Sequence, residues 1–79
     1  MRVSQHAQVT VARTIKEIQR DTGFLDVSLC EIAKRTGYHR RYIQAAVRQM
    51  NDDGILSRTT VLGMACLYEV KNYETGQNH

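Results

Sequence analysis

The chain has 79 residues, with 11 Lys or Arg against 8 Asp or Glu and a formal net charge of +3. That length holds one small domain and one modest core, and a chain of this size is marginal without an oligomer, a metal or a disulfide. The charge is too mild to imply nucleic acid alone, the two cysteines form no C-x-x-C, and no apolar run approaches the roughly 18 residues of a membrane span.

Residues 1–8 are weakly patterned and read as an N-terminal arm or an added turn of helix, with Arg2 the only cationic side chain. Val11, Ile15 and Ile18 then fall at i, i+4 and i+7, with Ala12 beside them. This spacing predicts a first helix from about Val9 to Asp21, broken by Thr22-Gly23. Phe24, Leu25 and Val27 make a short apolar connector, expected to cover the core and to offer its first residues to later strands.

The stretch Ser28 to Leu56 carries most of the information. Ser28 and Glu31 have the S-x-x-E spacing of a capping box, and Val27 and Ile32 have that of a hydrophobic staple. Leu29, Ile32 and Ala33 form one apolar stripe of a second helix, and Gly37 ends it, because a left-handed backbone is cheap only for glycine. A third helix is expected from near His39 to about Asp52. Its Ile43, Ala46, Val47 and Met50 share one arc, at about 100° per residue. Arg41, Gln44, Ala45 and Arg48 fall on the opposite arc, with Arg40 at its flank.

Two helices crossing a short turn need a small residue where their backbones approach and one that tolerates positive φ. Ala33 and Gly37 meet both needs, and Ile43 and Val47 close the angle. The I-A-x-x-x-G at Ile32 to Gly37 and I-x-x-A-V at Ile43 to Val47 resemble the helix-turn-helix DNA-binding motif. The outer arc suits that chemistry. Arginine forks onto guanine, glutamine onto adenine, and alanine leaves room for a thymine methyl. Between Ile32 and Asn51 lie Lys34, Arg35, Arg40, Arg41 and Arg48 and no acidic residue, whereas a merely solvated face mixes signs.

Asn51-Asp52-Asp53-Gly54 is a helix-stop signal, and Ile55-Leu56 returns the chain to the core. Ser57 to Val61 and Ala65 to Val70 read as two strands of a hairpin around Leu62-Gly63-Met64, and residues 71–79 as a polar tail. Cys30 and Cys66 sit among apolar neighbours and are expected as small reduced core residues. His6, His39 and His79 are too scattered to bind a metal. Tyr38 is expected to pack in the turn, and Tyr42 at the edge of the buried arc has its hydroxyl within reach of a phosphate.

Three helices followed by a hairpin predict an α+β domain over residues 9–70, mostly helical with a two- or three-stranded wing. The segments E-I-A-x-x-T-G, M-N-D-D-G-I-L-S-R and L-Y-E-V resemble the winged helix-turn-helix transcription regulators of bacteria, archaea and their viruses, over roughly Val9 to Val70. The resemblance implies that His39 to Met50 enters the major groove, that the wing flanks it, and that a symmetric dimer binds a palindromic site. The chain departs from the family at the wing tip. Val61, Leu62 and Met64 stand there instead of basic residues, with Arg58 the only nearby cation. A short apolar patch of that kind marks a homodimer or protein-partner surface.

The expected function is therefore sequence-specific binding of double-stranded DNA by a small regulator. No catalytic set, phosphate loop, cofactor motif or metal spacing supports an enzyme. Arg41, Gln44, Ala45 and Arg48 are the expected base readers. Lys34, Arg35, His39, Arg40, Tyr42 and Arg58 are the expected phosphate contacts. About four phosphates per subunit of a dimer give a slope of log K against log salt near about −7. The alternatives are a phage or plasmid replication or partition factor with the same chemistry, and a winged-helix protein-interaction module that touches no DNA. With no leader or membrane span in view, the expected location is the cytoplasm, on the nucleoid.

Overall fold

Three helices and three short strands follow in the order α1 (Gln5–Thr22), β1 (Asp26–Val27), α2 (Leu29–Thr36), α3 (Arg40–Asp52), β2 (Leu56–Thr60) and β3 (Cys66–Val70). The structure is a computed structural model and describes residues 3–60 and 66–70. It is an α+β fold in which the helices pack on one another and the sheet closes one side. The apolar hairpin tip at Val61, Leu62 and Met64 lies outside the described residues, as do residues 71–79.

The first helix starts about a turn before Val9, so residues 5–8 belong to it and not to an arm. Ser4 is the reason: its hydroxyl accepts from the Ala7 N–H at 3.1 Å and caps the helix. Ala7 then extends the Val11, Ile15, Ile18 stripe backwards, and Val3 ahead of the cap is buried with it.

The second helix has the expected ends. The Ser28 hydroxyl accepts from the Glu31 N–H at 3.1 Å, and Val27 and Ile32 are both in the core. Gly37 takes φ 81°, and its N–H donates to the Ala33 carbonyl at 2.8 Å. A Cβ at Gly37 would touch nothing within 4 Å, so the requirement there is for backbone conformation and not for space. Ile32 is the only residue of α2 that is fully buried. Truncating it to alanine would cost about 2–5 kcal/mol.

Two terminal signals set the ends of α3. His39 is the cap, its Nδ1 accepting from the Arg41 N–H at 3.1 Å. At the other end the Gly54 N–H donates to the Asn51 carbonyl and the Ile55 N–H to the Met50 carbonyl, with Gly54 at φ 79°. This is the Schellman arrangement, and it turns the chain directly into β2. Ile43, Ala46, Val47 and Met50 are all buried.

The sheet runs β1-β3-β2, both pairings antiparallel. Leu56 is opposite Val70 and Arg58 opposite Tyr68, so these four share one face, the face that covers the helices. Leu56 and Tyr68 are buried there, while Arg58 lies beyond the core edge and is exposed.

Two expectations about the core are corrected. Phe24 and Leu25 do not cover it: they are 67% and 61% exposed. Backbone bonds tie this connector down, since the Leu25 carbonyl accepts from Gln19 Nε2 at 3.0 Å and from the Tyr68 N–H at 3.3 Å. Only Val27 turns inward. Cys30 is not a core residue either: it is exposed, with its thiol unpaired. It lies two positions from Ile32, about 200° round the helix, which is the solvent side. Cys66 is described only through its backbone in β3.

Candidate functional site

The outer side of α3 and the edge of β2 form an open hollow of about 470 Å³, lined by Arg41, Gln44, Ala45, Arg48 and Arg58. The inner arc of α3 dictates this. With Ile43, Ala46, Val47 and Met50 turned into the core, positions 41, 44, 45 and 48 must face outward. The strand register supplies Arg58 from the helix-facing side of β2. All four expected base readers and one expected phosphate contact are thus brought to one surface.

Its electrostatics are one-sided. Among the described residues no carboxylate lines the hollow, and Arg40, Arg41, Arg48 and Arg58 form no salt bridge. Ala45 is half-buried and forms the apolar part of the floor. The start of α3 adds to the positive potential. Its first turn holds Arg40 and Arg41 and no acidic residue. Cations at that end oppose the helix dipole by about 0.3–1 kcal/mol each, a cost that a bound anion removes.

The other expected phosphate contacts differ in their standing. Lys34 and Arg40 are exposed. His39 is exposed, and with Nδ1 accepting from the backbone its Nε2 is the ring nitrogen left to donate. Tyr42 is half-buried and meets Tyr38 edge to face, ring centres 5.2 Å apart. Tyr38 is half-buried against the core, so it packs as expected.

Arg35 is placed differently. Its Nη1 lies 3.0 Å from Asp21 and 3.7 Å from Glu17, and its Nε donates to Glu31 at 3.0 Å. These hydrogen bonds, to Asp21 first and then Glu31, raise its pKa above the usual arginine value. Two of its donors are committed within the molecule, so it is a poor phosphate contact. The run of like charge from Ile32 to Asn51 hid this, because Glu17 and Asp21 reach it from another helix.

One set of supporting contacts was missed. Gln49 Oε1 accepts from the Val3 N–H at 3.0 Å and from Gln8 Nε2 at 3.2 Å, and Gln8 Nε2 also lies 3.3 Å from the Val3 carbonyl. The available signal was Gln8 itself, a polar residue four positions before Ala12 on the buried stripe of α1. Next to Arg48 in sequence, this network ties the late part of α3 to the start of the chain. Among the described residues no group of His, Cys, Asp and Glu could hold a metal, and no helix is long and apolar enough to cross a membrane. Compared with protein-family models, with curated proteins and with solved structures, the chain matches none of them.

Proposed function

We propose that the chain binds double-stranded DNA sequence-specifically, as a small regulator of the winged helix-turn-helix kind, with α3 in the major groove. The observation that carries this reading is the convergence of Arg41, Gln44, Ala45, Arg48 and Arg58 on one open surface, with no carboxylate among its described lining residues. The order of three helices and a hairpin is compatible with that family. A helix bearing outward arginine and glutamine fits a B-form major groove about 12 Å wide and can fork onto base edges. Lys34, Arg40 and Arg58 take phosphates beside it, and His39 Nε2 adds a further donor.

One copy offers few contacts, so a homodimer on a two-fold site is part of the proposal, its two α3 helices about 34 Å apart on the duplex. With Arg35 committed elsewhere, three cationic phosphate contacts per subunit give six, and the salt slope moves from about −7 to about −5.

The test is a gel shift at moderate salt against random duplex, comparing wild type with Arg41→Ala/Arg48→Ala. The expected result is a shifted band for wild type that the double variant loses or weakens greatly. Equal binding by both, or binding by neither, refutes the reading. A second reading, a protein-docking module, is favoured by Phe24 and Leu25, the large apolar side chains left exposed among the described residues. It predicts the outcome in which neither protein shifts DNA.

A further inference from the structure

Resting on the DNA reading above, we infer that the surface selects duplexes with two G·C pairs about three base-pair steps apart and an A·T pair between them, whose thymine methyl meets Ala45. The argument begins with spacing. Arg41 and Arg48 are seven residues apart on one helix, a rise of about 10.5 Å, and both line the same hollow. At about 3.4 Å per base-pair step that rise covers about three steps along a groove.

Chemistry then assigns the bases. Both guanidinium groups are exposed and have no carboxylate partner among the described residues, so their forks stay open for the O6 and N7 edge of guanine. Arg35 shows the contrast: its Nε and Nη1 are committed to Glu31 and Asp21. Cytosine N4 needs an acceptor and a guanidinium has none, so guanine is favoured over cytosine beneath each arginine. Between the arginines stand Gln44 and Ala45. Gln44 can pair both donor and acceptor with adenine. Ala45, half-buried at the floor, presents the one apolar group among the described lining residues, and a methyl is the size it can meet.

The test uses the full chain and a random duplex pool, followed by base analogues in the enriched site. The expected enriched half-site carries two G·C pairs two to four steps apart, about three being central, with an A·T pair between. Replacing either guanine by 7-deazaguanine removes N7 and should weaken wild-type binding about tenfold. Arg41→Ala should become indifferent to that change at one guanine only, and Arg48→Ala at the other. Replacing the central thymine by uracil removes its methyl and should cost about fourfold. An enriched site without such a pair, or tolerance of 7-deazaguanine at both positions, overturns the inference. Uniform binding across the pool overturns it together with the sequence-specific part of the DNA reading, whereas an enriched site of another pattern overturns the inference alone. No binding of any duplex by wild type overturns both. The analogue arms use unaltered protein, so they do not depend on the variants folding.

Discussion

Replacing Gln49 by methionine tests the contacts that hold α3 in place. The side chain keeps its length and loses its amide, the Oε1 acceptor included. Gln49 Oε1 takes hydrogen bonds from the Val3 N–H at 3.0 Å and from Gln8 Nε2 at 3.2 Å. Val3 is 2% exposed and Gln8 8%, so water cannot readily replace what is lost. Gln8 Nε2 keeps the Val3 carbonyl, 3.3 Å away. The Val3 N–H is stranded, and one buried donor without a partner costs about 1–3 kcal/mol. Taking about 2 kcal/mol, a domain of this size melts about 8–16 °C lower. Urea unfolding of Gln49→Met, Gln8→Met and the double variant forms a cycle. Because the two glutamines share a bond, Gln8→Met should cost less in the Gln49→Met background, by about 0.5–1.5 kcal/mol. A Gln49→Met protein within about 0.5 kcal/mol of wild type, or strictly additive costs, would show that this network does not hold the N-terminal residues to α3.

Arg58→Ala should weaken binding to all duplexes alike and make the salt slope shallower by about 0.9 per subunit, with the preferred sequence unchanged. A changed consensus in a selection experiment would mean that Arg58 reads a base. Arg35→Met should leave the salt slope at the wild-type value, whereas Arg40→Met makes it shallower. Equal loss in both would mean that Arg35 leaves its carboxylates for DNA. Gly54→Ala should destabilise by about 1–2 kcal/mol. The residue sits at φ 79° with nothing within 4 Å of a Cβ, so the whole cost is conformational. An unchanged urea midpoint would refute this.

Features encoded within a few residues were legible in the sequence. The Ser28 cap, the Ile32 stripe, the Gly37 stop and the inner and outer arcs of α3 rest on spacings of one to four residues, and all four are present. The outward placement of Arg41, Gln44, Ala45 and Arg48 follows from the buried arc alone. Ser4 was harder to read, because it caps α1 with no Glu or Gln three positions on to mark it. Phe24 and Leu25 misled by composition: apolar residues beside a helix stop look like core, yet here the connector is fastened by Gln19 and Tyr68 through its backbone. Cys30 misled in the same way, by its neighbours in sequence and not by its angle on the helix.

Arg35 shows where a linear reading of charge fails and why the candidate site survives that failure. Counted along the chain, it is one of five cations in an acid-free run. In space it stands among Glu17, Asp21 and Glu31, and with them carries a net negative charge. Three acidic groups, Glu17, Asp21 and Glu31, therefore gather where α1 meets α2, and Asp52 and Asp53 lie at the far end of α3, while Arg40, Arg41, Arg48 and Arg58 are left on α3 and β2. A formal charge of +3 conceals this division. A phosphate backbone responds to the local potential more than to the total, because charges beyond about 8–10 Å are largely screened at physiological salt. Losing Arg35 from the proposed phosphate contacts thus lowers their number by one, yet leaves the hollow beside α3 basic, with no carboxylate among its described lining residues to compete for its arginines.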